Sequence, residues 1–185
     1  DLYFSDLDGD WDYNGDHIYG EPQDSVDMYA DVYLGRASLD NATQASNFVN
    51  KVFTYEKDPP TTYLKKMCLP AVMLWPGYQG DVVNNAIADY TPAGWQDAKL
   101  YESLGNVSRT ILRDSLNVGF HFCHGAAHGD PDGWYYWSAT TLLNSPDAYG
   151  LTNGNELTIV NSIACISGGF DQGSYNSDCL AENFS

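Results

Sequence analysis

The 185 residues carry 8 Lys and Arg against 25 Asp and Glu, a formal net charge of −17 and a pI near 4.1. That balance excludes nucleic acid as a partner, because phosphate contacts need a basic surface. No apolar run is long enough to span a bilayer, and with 43% hydrophobic and 14% aromatic residues the chain is that of a folded domain with a core.

Residues 6–27 are dense in Asp, Asn and Gly and read as loop. Within them residues 10–21 read D-W-D-Y-N-G-D-H-I-Y-G-E. Asp10, Asp12 and Asn14 alternate, Gly15 supplies a turn, Asp16 follows, and Glu21 closes the loop as the last ligand of an EF-hand does. No flanking helices are evident. Carboxylates this close repel one another without a cation, so a structural calcium ion is expected, with Asp6 and Asp8 assisting a second one. The donors are hard oxygens, which suit calcium.

Residues 32–34 read as a short strand. Residues 41–57 place Ala45, Phe48, Val49, Val52 and Phe53 on one helical face, with Asp40 or Asn41 as cap and Asp58-Pro59-Pro60 as stop. Residues 67–75 form a mostly apolar strand that Pro70 makes irregular or edge-like. A turn at 77–81 leads to helical stretches at 81–90 and 103–116. An apolar strand then runs into His124-Gly125. Residues 126–132 follow as a loop, residues 134–137 as an aromatic patch, and residues 140–143 as a short helix or turn. A second apolar strand, 158–163, runs into Ala164-Cys165. Strands alternating with helices imply a mostly parallel sheet covered on both faces, a three-layer α/β/α sandwich. Sites in such sheets form beyond the carboxyl ends of the strands.

A histidine and a cysteine delivered to two strand ends are the parts of a thiol nucleophile and its base. The imidazole raises the thiolate fraction and later protonates the leaving amine. Cys165 is therefore the candidate nucleophile and must be free. Cys68 and Cys123 read as structural, and the pairing of Cys179 is open. His124 is the candidate base, because it precedes Gly125 at the apparent strand terminus; His121 reads as packing, and His128 as solvated or lining the cleft. Ile163 and Phe122 flank the pair by strand alternation and are candidate substrate-binding residues. Trp134 is another, although the patch it opens reads equally well as a wall above the cleft or as core.

The strand ending in His-Gly and the later strand ending in Ala-Cys resemble the caspase, legumain and gingipain clan. Within it the chain resembles the gingipain family of cysteine peptidases. Supporting stretches are DVYLGRASL at 31–39, the helix ending in Tyr-Glu at 55–56, the acidic loop at 6–21, and ACISGGFDQGSYNSDCLAENF at 164–184. The resemblance implies a caspase-haemoglobinase-like fold and a secreted or cell-surface endopeptidase that acts on proteins or peptides. It also implies that residues 1–185 are the middle part of one longer catalytic domain. The N–H groups of Gly125 and Cys165 are the oxyanion hole it implies. Asp81 is its counterpart of the aspartate that pairs with a substrate Arg or Lys, though a carboxylate capping the next helix fits Asp81 equally well. The family's third catalytic acid has no counterpart at Met73-Leu74-Trp75. Two other functions compete: a calcium-stabilised binding or adhesion module with a relic site, and a zinc hydrolase built on His121, His124 and His128.

Overall fold

Asn41 opens the long helix that its position predicts. In the computed structural model, which describes residues 2–171 and 178–184, its Oδ1 accepts the N–H groups of Thr43 and Gln44, both at 3.0 Å. The chain divides into two compact units, residues 1–38 and 39–185. The first unit contains α1 (Leu2–Ser5), a 3-10 turn (Pro22–Asp24) and loop. The strand expected at 32–34 does not form: Tyr33 is fully exposed and no ladder partner exists among the described residues. Backbone donors and acceptors form a strand only where a neighbour takes them up.

The second unit begins with α2 (Ala42–Lys57), which leaves Val49 and Phe53 half exposed. Then come β1 (Lys66–Ala71), a hairpin of β2 (Met73–Trp75) and β3 (Tyr78–Gln79), and α3 (Asp81–Ala88). β4 (Gln96–Tyr101), α4 (Arg109–Val118) and β5 (Phe122–Ala126) follow. The chain next turns into β6 (His128–Asp130), β7 (Gly133–Tyr135) and β8 (Thr141–Asn144), then α5 (Ser145–Tyr149), β9 (Ile159–Ile163) and α6 (Leu180–Phe184). Among the described residues β4-β1-β5-β9 form one parallel sheet in that order, and β6-β7-β8 an antiparallel one. This second sheet occupies the stretch read from sequence as loop, aromatic patch and short helix. No helix among the described residues is long and apolar enough to cross a membrane.

Period-2 alternation along β1 and β5 builds two cores. Leu69, Ala71, Tyr101 and Ala126 pack with Ile87 and Ala88 of α3 on one face. Cys68, Val72 and Cys123 pack with Leu112 and Leu116 of α4 and with Trp134, Leu142 and Leu143 on the other. Helices thus cover both faces of a parallel sheet, as the strand–helix alternation predicts.

Pro70 is not on an edge: β1 lies between β4 and β5. The missing donor is replaced. Two residues on, the Val72 N–H bonds the Ala126 carbonyl at 3.0 Å, so by ladder alternation the Pro70 nitrogen faces the His124 carbonyl with no hydrogen to offer. Asn84, fully buried on α3, fills the gap. Its Nδ2 donates to the Pro70 carbonyl at 3.0 Å and to the His124 carbonyl at 3.2 Å.

Candidate active site

The register of β5 against β9 decides where the site lies. His124 is paired with Asn161, four residues before Cys165. At about 3.3 Å per residue that places it on the order of 13 Å back from the nucleophile along the strand direction. The strand also does not end at Gly125. The Ala127 N–H still bonds the Ile163 carbonyl at 3.0 Å, so His128 is the first residue past the ladder and, continuing the register, comes abreast of Cys165. The chain holds a second His-Gly dipeptide here, and Gly129 lies directly against the nucleophile. A Cβ on Gly129 would stand 2.3 Å from the Cys165 carbonyl oxygen and 2.8 Å from Ala164. The histidine that the fold brings to Cys165 is therefore His128, whereas the sequence reading placed His124 there.

His124 has other work. Its Nδ1–H donates to Asn84 Oδ1 at 2.8 Å. The amide can face only this way, because turning it over would set its oxygen against two carbonyl oxygens. Burial lowers the His124 pKa from the ordinary imidazole value, which keeps the ring neutral in this network. His121 is likewise occupied: Nδ1–H donates to the Leu64 carbonyl at 2.9 Å, and Nε2 accepts from the Tyr55 hydroxyl at 2.6 Å. With His128 Nε2 bonded to the Met73 carbonyl at 3.2 Å, the three histidines point to three separate partners and form no zinc site.

Cys165 is free and exposed, just past β9. The next residue, Ile166, has φ +43°, a left-handed conformation that costs a β-branched residue about 1–3 kcal/mol. A chain of hydrogen bonds holds this turn. Trp134 Nε1–H donates to Ser162 Oγ at 2.9 Å, Ser162 and Ser167 hydroxyls meet at 2.9 Å, and Ser167 donates to the Ala164 carbonyl at 3.4 Å. Trp134 is completely buried, so of the two readings the sequence left open it takes the core one and supports the turn at Cys165 rather than lining a cleft. Its ring also explains Gly125. An added Cβ there would lie 2.5 Å from the indole. Gly125→Ala is expected to destabilise by about 1–3 kcal/mol, lowering Tm by about 2–4 °C for each kcal/mol; an unchanged melting curve would contradict the packing.

The Gly125 N–H is not available as an oxyanion donor. The bonds from Ile159 N–H to the His121 carbonyl and from Ala127 N–H to Ile163 show that the odd-numbered peptide groups of this strand face β9. Gly125, paired with Ser162, lies in that ladder. Phe122 sits deeper, with its ring 4.2 Å from His121 and 5.9 Å from Trp95, so it packs rather than lines a cleft. Ile163 stays partly exposed beside the nucleophile. Asp81 opens α3 and accepts a short hydrogen bond from the Ser103 hydroxyl. The preceding Gly80 packs on Ala126, near the end of β5, which puts Asp81 at the carboxyl rim of the sheet. Residues 172–177 of the nucleophile segment lie outside the described residues.

In the first unit the acidic loop is knitted by its own oxygens. Asp10, Asp12, Asn14 and Asp16 each accept a backbone N–H at 2.8–3.1 Å, and Asn14 Nδ2 donates to Glu21 at 2.9 Å and to Asp16 at 3.2 Å. Gly15 has φ +74° in the turn. Asp24, buried after Glu21, keeps Oδ1 without a partner. The donor set and this orphaned oxygen fit a hard cation. Nearby in sequence, carboxylate oxygens of Asp6, Asp8 and Asp31 lie within 4.8 Å of one another. Asp31 was not legible as a member of this group, because it stands 23 residues after Asp8.

A parallel α/β sheet that brings an exposed thiol and an imidazole to the ends of adjacent strands defines a cysteine-peptidase type of site. The chain belongs to peptidase family C25, whose family model matches residues 1–185. It is 26% identical to Lys-gingipain HG66 of Porphyromonas gingivalis over 98% of its own length and 9% of that relative's. It is also 26% identical to gingipain R2 of the W83 strain, over 90% of its own length and 23% of the relative's. Among solved structures, the Arg-specific cysteine proteinase gingipain R superposes with a TM-score of 0.66 at 21% identity, covering 85% of this chain and 36% of that one. Another protease structure reaches 0.72 at 25% identity, covering 99% and 36%. The chain thus spans less than a quarter of these curated relatives and about a third of the solved chains.

Proposed function

We propose that the chain carries the catalytic centre of a secreted cysteine endopeptidase that cleaves proteins after Arg or Lys. The observation that supports this most is the close approach of Gly129, the residue after His128, to Cys165 in a member of family C25. In this reading the Cys165 proton passes to His128. The thiolate forms a C–S bond with the scissile carbonyl, and the imidazolium protonates the amine as the C–N bond breaks. Water then hydrolyses the thioester. The oxyanion donors move with the histidine. Asp130 and Gly133 close the β6–β7 hairpin, so by alternation the Gly129 N–H points away from β7, and it joins that of Cys165; one such donor contributes roughly 3 kcal/mol.

Asp81 at the rim supplies the carboxylate for a basic P1 side chain. Two relatives point the same way, one termed a Lys-gingipain and one an Arg-specific proteinase. A peptide library is expected to show cleavage after Arg or Lys. Asp81→Asn should lower that cleavage at least tenfold while sparing reaction with a small thiol-directed probe, since losing a charge-assisted contact costs about 1.5–3 kcal/mol. Preference for apolar or acidic P1 would reject Asp81 as the specificity residue, and no thiol-dependent cleavage at all would reject the peptidase.

Calcium is proposed as a structural ion held by Asp10, Asp12, Asn14, Asp16 and Glu21, with Asp6, Asp8 and Asp31 as a second carboxylate group. The ion would neutralise repelling carboxylates and take no part in the reaction. Tm is expected to rise with added calcium, by about 2.7 kcal/mol of stabilisation at a hundredfold excess over Kd. Titration calorimetry without uptake at millimolar calcium would remove the ion from this account.

A further inference from the structure

We propose that Glu102 is the positioning acid of this site and acts through the backbone of Met73, leaving Nδ1 of His128 as the base. The inference rests on the peptidase reading of Cys165 and His128. Nothing in residues 73–75 supplies a carboxylate, yet one arrives from the neighbouring strand. Tyr101, the last residue of β4, is paired with Ala71 at the end of β1. Glu102 follows it, and its Oε2 accepts the Met73 N–H at 2.7 Å, the length of a charge-assisted bond. The carbonyl of the same residue, Met73, meets His128 Nε2 at 3.2 Å.

A carbonyl oxygen can only accept, so Nε2 must carry the proton and Nδ1 the lone pair. The Cys165 S–H proton then passes to Nδ1 and later leaves on the product amine, while Nε2–H stays on Met73 throughout. Met73 needs such an anchor. The β2–β3 pairing is irregular between Met73 and Trp75, so the two-stranded hairpin alone does not fix where the Met73 carbonyl points. Glu102 supplies the missing restraint.

The test uses the full chain as wild type, Glu102→Ala and Glu102→Gln. The imidazole nitrogens are read by 15N NMR in alkaline buffer, alongside kcat, KM and thermal melting. Wild type is expected to show the Nε2–H form. Glu102→Ala should mix the two tautomers and lower kcat about 100-fold with KM little changed, the size of effect that misplacing a catalytic group produces. Glu102→Gln, which keeps an acceptor for Met73, should recover most of that loss. A mixed or Nδ1–H form in wild type overturns the proposal even if Glu102→Ala fails to fold. So does an unaltered tautomer and kcat in a folded Glu102→Ala. If the wild type hydrolyses no peptide, the peptidase reading fails, while the nitrogen spectra still decide whether Glu102 sets the tautomer.

Discussion

His128→Ala is expected to lower kcat by about 10²–10⁴-fold, the usual worth of a positioned general acid and base, with little loss of stability. His128 is partly exposed and its ring bonds one backbone carbonyl, so truncation leaves no buried charge. His124→Gln should show the opposite profile. It breaks the bond to fully buried Asn84, which costs about 1–3 kcal/mol, but it leaves the carboxyl end of the sheet intact and keeps kcat within a few fold. Steady-state kinetics with thermal melts of both variants separates the two histidines. A silent His128 beside an inactive, well-folded His124→Gln would return the base to His124 and contradict the register of β5 on β9.

Cys165→Ala is expected to remove peptide hydrolysis by on the order of 10⁶-fold, the loss seen when a covalent nucleophile is deleted, and to leave the melting curve unchanged because the thiol is exposed. Alkylation gives the matching chemical result. Cys68, Cys123 and Cys179 are all buried. The hydrogen bond that the Cys123 thiol shares with Cys68, together with burial, pushes the Cys123 thiol well up, and burial raises that of Cys179, so neither offers thiolate at neutral pH. The native chain should take one iodoacetamide label, at Cys165, with activity lost in step. Labelling elsewhere that abolishes activity, or turnover persisting in Cys165→Ala, would place the nucleophile on another residue.

The sequence by itself determined the features whose signals are local. Asn41 before an amphipathic run specifies α2 and its start, and Pro59-Pro60 its end, because capping and proline geometry act within a turn of helix. The apolar runs before His124 and Cys165 specify β5 and β9, and their separation by helices and turns specifies a sheet that is mainly parallel. The free, accessible Cys165 follows from its place just past a strand. Tertiary structure decided the rest. Two His-Gly dipeptides stand four residues apart, and alternation along one strand cannot say where the ladder stops; only the register with β9 shows that it runs on to Ala127 and sets His128, not His124, abreast of Cys165. Pro70 looks like an edge residue until Asn84, fourteen positions later, supplies its missing donor. Trp134 is apolar in sequence wherever it lies, and only packing against Gly125 and Ser162 makes it a core support. Residues 32–34 have strand composition without a partner strand. Glu102 meets the site through a neighbouring strand's backbone. Each of these outcomes depends on which distant group satisfies a donor, an acceptor or a volume, and a one-dimensional pattern carries no record of that partner.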